Sequence, residues 1–257
     1  MIGVILAAGM ARRLRPLTDT RPKCLLEVGG KSLLQRTVDA MMATGITEFV
    51  IVTGYRGEMI REALTRLYRD SRDPRYSRDP RDSRMPSFTF LDNTDYEHNN
   101  NIYSLWMSGQ VVRGKEFLLM DSDILCDPEA VGRVARQDCP ALAMQRHELG
   151  EEEMKIVVDD ENRITEISKT CRVEDAIGES VGIEKMTADY SEALFRELDV
   201  MIEQEGLIDI FYERAFERLI PQGHTFKVVE TTDLFSYELD TPEDFERAQH
   251  DIPQTLL

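Results

Sequence analysis

The sequence predicts an α/β chain built on a doubly wound, mostly parallel mixed sheet, with helices on both faces and a small α+β part at its C-terminal end. Three observations carry that expectation. The chain opens on a short apolar run rich in β-branched residues; such runs then alternate with amphipathic helical patterns to about residue 140; beyond that point the alternation gives way to a hairpin pattern. Alternating strand and helix imply right-handed crossovers, which leave a ligand crevice at the C-terminal ends of the strands.

Ile2 to Ala8, ended by Gly9, reads as a buried parallel strand, so the chain starts in its own core. After a basic loop, Ser32 to Ala43 sets Leu33, Leu34, Val38, Met41 and Met42 on one stripe, with Gly45 as the stop, which is a helix laid on the sheet. Strand Glu48 to Thr53, helix Glu58 to Tyr68 and strand Ser87 to Leu91 continue the pattern, followed by helix Asn101 to Gly109, strand Phe117 to Met120 and helix Pro128 to Arg136. From about Ala141 the character changes. Lys155 to Val158 and Arg163 to Ile167 flank the polar turn 159–162 as an antiparallel hairpin. Helices Glu192 to Glu205 and Ile210 to Leu219 come next, then strands Phe226 to Glu230 and Ser236 to Leu239. A last helix opens on Thr241 as N-cap and Pro242 at its first position, with Glu243 and Asp244 in the favourable first turn. Residues 1–257 read as a single domain with halves 1–140 and 141–257. An insertion at 69–86 interrupts the first half; Arg69 to Arg84 repeats Arg-Asp with Ser and Pro, holds nothing that forms a core, and reads as solvated and mobile.

With 42% hydrophobic and 31% charged residues, the chain has the profile of a soluble globular protein. Its formal charge of −17 argues against nucleic acid as a partner, because that binding depends on Lys and Arg neutralising phosphates over a broad surface. A free nucleotide needs only a local positive pocket, and seven basic residues fall within the first 36 positions: Arg12, Arg13, Arg15, Arg21, Lys23, Lys31 and Arg36. Cys24, Cys126, Cys139 and Cys171 are scattered, which suggests neither a zinc site nor a disulfide framework and fits reduced thiols in the cytoplasm. No run approaches the ~20 apolar residues needed to cross a bilayer, and the N-terminus has the reverse of a signal peptide's order.

The loop after the first strand, Leu6-Ala7-Ala8-Gly9-Met10-Ala11-Arg12-Arg13-Leu14-Arg15-Pro16-Leu17-Thr18, followed by Arg21-Pro22-Lys23, carries the strongest chemical signal. Gly9 among small neighbours lets backbone N–H groups approach a phosphate, and the arginines add charge-assisted hydrogen bonds. A second signal is Leu118-Leu119-Met120-Asp121-Ser122-Asp123, an apolar strand ending in two carboxylates at the sheet edge, where carboxylate oxygens suit hard Mg²⁺. A third is Asp95 to Leu105, whose Asn100, Asn101 and Ser104 offer donors and acceptors for a base edge, although Asn101 serves equally as a helix cap. Finally, Asp209-Ile210-Phe211-Tyr212-Glu213 sets aromatic rings beside acids, an arrangement for an ammonium group; the alternative is an amphipathic helix with Phe211 in the core and its acids in water.

On these residues the sequence resembles the nucleotidyltransferase family (sugar-nucleotide pyrophosphorylase-like), whose signature is a strand, LAAGxGxRLxPLT, then PKxLL. That resemblance implies a Rossmann-like fold, a loop from Leu6 to Arg13 wrapped around a triphosphate, and catalytic roles for Arg13 and Lys23 on its phosphates. It selects Asp123 as a metal ligand, sets Asp121 beside the nucleotide, and implies a second ligand at Asp240 within Tyr237-Glu238-Leu239-Asp240-Thr241-Pro242. The alternative for Asp240 is a polar residue beside the helix cap. Two departures stand out: Ala11 replaces the usual second Gly, and Arg12 replaces the frequent Ser or Thr, so the loop's course at Ala11 is open. The NNxYSL string at Asn100, Thr53-Gly54-Tyr55 and the ELDTPEDF ending are similar to the phosphocholine cytidylyltransferase branch, which implies CTP, a nucleotide contact at Tyr55, and phosphocholine as acceptor. Lys169 occupies the place of an acceptor-phosphate ligand, and Ser168 stands where sugar-binding members have Glu. Asp209, Tyr212 and Glu213 complete the expected acceptor site. A phosphate monoester dianion is nucleophilic at neutral pH, so no covalent nucleophile or general base is required. The other acceptors left open are 2-aminoethylphosphonate, ethanolamine phosphate, inositol phosphate and a sugar-1-phosphate with UTP or dTTP; a nucleotide-sensing inactive homologue is the reading of a different class. A homodimer is an expectation from the family alone.

Overall fold

The computed structural model describes residues 1–69 and 85–257; the Arg/Asp-rich run expected to be solvated lies, apart from Arg69, outside the described residues. The first unit is β1 (Ile2–Ala7), a short hairpin of β2 (Glu27–Val28) and β3 (Lys31–Ser32), and α1 (Leu33–Ala43). Ser32 caps α1 by accepting from the Gln35 N–H, and Gly45, at φ +90°, releases the chain into β4 (Glu48–Thr53). Next come α2 (Gly57–Leu64), β5 (Ser87–Asp92), α3 (Asn101–Val112), β6 (Phe117–Asp121), β7 (Ile124–Cys126) and α4 (Pro128–Ala135). The second half holds β8 (Ala141–Gln145), β9 (Lys155–Val158), β10 (Ile164–Ser168), β11 (Gly178–Met186), α5 (Ala188–Asp199), α6 (Glu213–Leu219), β12 (Lys227–Glu230), β13 (Ser236–Glu238) and α7 (Pro242–Asp251).

Nine strands form one mixed sheet in the order β10-β9-β11-β6-β1-β4-β5, with β8 and β12 branching from β11. The run β6-β1-β4-β5 is parallel, and β11 joins it antiparallel along β6. Side chains of β1 alternate between the faces: Val4 and Leu6 enter the core beneath α3, α5 and α6, and Ile5 and Ala7 enter the one beneath α1, α2 and α4. Burial on both faces explains why β1 reads as an unbroken apolar run.

Two devices in this frame position the cleft. In β11 the register shifts between Ser180 and Glu184, where Gly182 takes φ +68° and a Cβ would lie 3.2 Å from Asp121 Oδ2. A glycine there lets the strand change course against the end of β6. In the small sheet β13 pairs antiparallel with β7, and the Leu239 N–H donates to the Asp123 carbonyl at 3.3 Å. Leu239 and Ala248 pack with Val28, Leu33 and Leu125, which fastens the C-terminal segment to the first half. The capping box of Thr241 and Asp244 starts α7 where the sequence placed it.

Several boundaries differ from expectation. The last two mid-chain helices begin at Ala188 and Glu213, and the latter starts late because the Asn101 side chain accepts from the Tyr212 N–H and holds the preceding backbone out of the helix. Strands β8 and β11 carry Ala, Gly and Glu residues and β7 is only three residues long, so all three give little β signal in sequence.

Gly3 lies opposite Phe49, and a Cβ there would meet the Phe49 ring at 2.8 Å and Met41 Sδ at 2.9 Å. Gly3→Ala is therefore expected to cost about 1–3 kcal/mol through overpacking, read as a lower urea midpoint; an unchanged midpoint would show that the core yields more easily than this packing implies.

Candidate active site

The loop after β1 is shaped by its backbone. Gly9 has open space where a Cβ would stand, so the chain can pass close to a bound group. Ala11 adopts φ 46°, ψ 57°, the left-handed conformation a second Gly would take, at a cost of about 1–2 kcal/mol. Its carbonyl accepts from Thr18 Oγ1 at 3.0 Å, which holds the turn, and Arg12–Leu14 continues as a single 3₁₀ turn. The loop thus keeps its course without glycine. Tyr55 acts from behind it: the N–H donates to the Ala8 carbonyl at 3.0 Å, and the hydroxyl stands 2.9 Å from the carbonyl oxygens of both Thr18 and Asp19.

Lys23, 8% exposed, leads a second 3₁₀ turn, and its Nζ donates at 2.9 Å to Asp123 Oδ2 and at 2.9 Å to Asp240 Oδ1. Arg13 pairs with the other oxygen of Asp240. Burial alone would weaken the Lys23 ammonium, but the Asp123 and Asp240 charges outweigh it and hold the group firmly protonated. Burial likewise would raise Asp240, and Lys23 and Arg13 reverse it, leaving the carboxyl below its ordinary range. Glu238, two residues along the strand and on the same side, completes a set of three carboxylates whose oxygens lie within 4.8 Å of one another. It faces the open cleft, yet the walls exclude enough bulk water that desolvation, then repulsion from Asp123 and Asp240, pushes it up to about 8. Three oxygen donors converging where an ammonium already sits match the requirements of a hard divalent cation.

These groups line one side of a cleft of about 600 Å³. Leu6, Ala7, Ala8, Gly9, Ala11, Arg12, Arg13 and Lys23 are on its wall, as are Asn100, Asn101, Ser104, Asp121, Asp123, Lys169, Glu213 and Asp240. The sequence placed all of these in the site. Met10, Tyr55, Asp209 and Tyr212 are not on the wall. Tyr55 braces the loop instead, and Tyr212 is buried behind it, its hydroxyl donating to Asp121 Oδ2 at 2.9 Å while its ring packs 5.3 Å from Phe216. The N-cap of α3 is Asn100, whose side chain accepts from the Asn101 N–H, which frees the Asn101 carboxamide for Tyr212.

Sequence reasoning missed Asn93, Glu179 and Glu238. Asn93 is buried at the end of β5 and donates to Asn99 Oδ1 at 2.7 Å and to Ser104 Oγ at 3.2 Å, so it organises the amide-rich wall. Glu238 had a signal, the two-residue period of a strand running into Asp240. Elsewhere in the cleft, burial, then the charges of Asp123 and Glu213, raises Asp121 well above the ordinary range, and burial pushes Glu213 up to about 7.

Fold and cleft define a class: an α/β protein with a cationic loop and convergent carboxylates at the C-terminal edge of its sheet. The chain belongs to the nucleotidyl transferase family, whose sequence pattern matches residues 2–153. It is 27% identical over 128 residues to the 2-aminoethylphosphonate cytidylyltransferase of Lancefieldella rimae, covering 50% of this chain and 45% of that protein. It is 32% identical over 127 residues to the mannose-1-phosphate guanyltransferase of Kluyveromyces lactis, covering 49% of this chain and 32% of that protein. The chain thus spans less than half the length of these curated relatives. In fold it is similar to the CTP:phosphocholine cytidylyltransferase of Streptococcus pneumoniae, with a TM-score of 0.76, 19% identity, and coverage of 98% of this chain and 99% of that one. Among the described residues no helix is long and apolar enough to cross a membrane.

Tyr55→Phe removes the hydroxyl that ties 18–19 to the sheet. It is expected to lower stability by about 1 kcal/mol and to speed amide exchange selectively across 12–21. Exchange unchanged in that segment would show that the loop holds itself without the brace.

Proposed function

We propose that the chain is a magnesium-dependent cytidylyltransferase that moves CMP from CTP to a small cationic amino alcohol bearing a phosphate or phosphonate, releasing pyrophosphate. One observation carries this: Lys23 bridges Asp123 and Asp240, Arg13 pairs with Asp240, and Glu238 completes the carboxylate cluster, in a cleft that the loop after β1 and Lys169 also line. A triphosphate on the loop is cradled by backbone N–H groups, with Arg12, Arg13 and Lys23 opposing its charge. The amides of Asn99, Asn100 and Asn101 and the hydroxyl of Ser104 stand on the wall beyond it, with both donors and acceptors for a cytosine edge.

The reaction is an in-line displacement. An oxygen of the acceptor dianion attacks the α-phosphorus, the bond from that phosphorus to the α,β-bridging oxygen breaks, and the electron pair leaves with pyrophosphate. No proton has to move first, so no base is needed. Asp123 and Asp240, with Glu238 beside them, would hold Mg²⁺, which neutralises charge at the α-phosphate. Lys169 positions the acceptor's phosphoryl group, and the acids at Asp121 and Glu213 face its cation. These residues form one working site from both halves, 1–140 and 141–257, consistent with a single domain.

Ser168 supports this over a sugar-1-phosphate acceptor, because its hydroxyl is tied to Thr170 Oγ1 at 2.8 Å and is not on the cleft wall. The meeting of Arg13, Lys23, Asp123 and Asp240 supports an active enzyme over a sensing-only homologue.

Two measurements test the proposal. Pyrophosphate release is expected with CTP and an amino-alcohol phosphate or phosphonate and not with glucose-1-phosphate; release confined to the sugar phosphate moves the protein to the sugar branch. Asp123→Asn and Asp240→Asn are each expected to lower kcat by about 10²-fold or more with the unfolding midpoint retained, and near-wild-type turnover in limiting Mg²⁺ would remove that residue from the site.

A further inference from the structure

Resting on that reading, we infer that the acceptor's cationic end is an ammonium still carrying N–H bonds, seated on the Glu213 carboxylate beside Asp121, and not a quaternary trimethylammonium. Glu213 is 7% exposed at the start of α6 and lines the cleft. Its Oε2 is buried without a hydrogen-bond partner, and among the described residues no cationic side chain lies within ion-pair distance of it. Lys169, the cation on that wall, is engaged with Glu152 at 3.4 Å. Behind it the carboxylate of Glu184, fully buried, has its own unpartnered oxygen. Lys169 offsets part of the Glu213 charge from beyond ion-pair distance, so the hydrogen bond that Oε2 lacks is left to a group in the cleft, and a group that donates hydrogen bonds does this better than one that presents methyls.

The aromatic inventory points the same way. A quaternary ammonium lacks donors and is recognised by aromatic faces arranged as a cage. Among the described residues, Tyr96 and Phe211 are the aromatic side chains on the cleft wall. Tyr96 is on the nucleotide side, edge-on to Tyr55 at 6.3 Å. Phe211 is 43% exposed and already carries Lys169 Nζ 4.8 Å from its ring centroid. Tyr212 offers no face, since its ring is packed in the core. The site thus has a buried hydrogen-bond acceptor and no cage, which moves the substrate from choline phosphate to the class of phosphates and phosphonates whose ammonium still carries N–H bonds.

The test is a methylation series with CTP and Mg²⁺: ethanolamine phosphate, its N-methyl and N,N-dimethyl forms, and choline phosphate, with 2-aminoethylphosphonate alongside. Loss of the last N–H, from the dimethyl form to choline phosphate, is expected to cost on the order of tenfold in kcat/KM, the size of one charge-assisted hydrogen bond. Glu213→Gln is expected to flatten the series chiefly by raising KM for the primary amines. Turnover that is flat across the series, or best with choline phosphate, overturns the inference and leaves the cytidylyltransferase reading standing. Neither turnover nor calorimetric binding of any member overturns both. Should Glu213→Gln fail to fold, the wild-type series decides alone.

Discussion

One buried ammonium joins three distant parts of the chain. Lys23 comes from the 3₁₀ turn that follows the loop after β1, Asp123 from the turn between β6 and β7, and Asp240 from the link between β13 and α7, with sequence separations of 100 and 217 residues. A cation 8% exposed is tolerable only when paired, and two carboxylates forced together are tolerable only around a cation. Each therefore depends on the other, and the pairing of β13 with β7 makes the meeting possible by bringing Asp240 beside Asp123. Arg13 extends the arrangement to the phosphate loop.

Part of the protein's acidic excess lies in the cleft. Asp121, Asp123, Glu213, Glu238 and Asp240 share one cleft whose cations are Arg12, Arg13, Lys23 and Lys169. Under the proposed function, the loop residues oppose the charge of phosphates and Asp121 and Glu213 face a cation, so a ligand carrying both charges would satisfy both groups. On the same reading, that pattern would favour an amino-alcohol phosphate over the phosphate of an uncharged sugar.

Much of this was legible in the residues. The alternation of apolar runs with helical stripes gave the parallel units through α4, and the choice of Arg13, Lys23, Asp123 and Asp240 came from the resemblance of the loop and the two acidic segments to the family's motifs. What was hidden depended on contacts made only in the fold. Tyr212 reads as a ligand beside acids, but the Asn101 side chain fixes its backbone and turns the ring inward. Tyr55 reads as a nucleotide contact, and its hydroxyl instead finds two loop carbonyls. Strand β11 contains a left-handed glycine and two glutamates, one of them fully buried, a composition whose strand character comes from its neighbours. Asn93 has no motif at all, since its role is to hold Asn99 and Ser104.

If Mg²⁺ binds as proposed, Lys23 holds its place in the free protein. Anomalous diffraction from crystals grown with CTP and Mn²⁺ tests it most directly. The account predicts a single manganese peak bound by Asp123 and Asp240, with Lys23 Nζ withdrawn from at least one of them and turned to the triphosphate. Manganese bound elsewhere, with Lys23 still bridging both carboxylates, would contradict it.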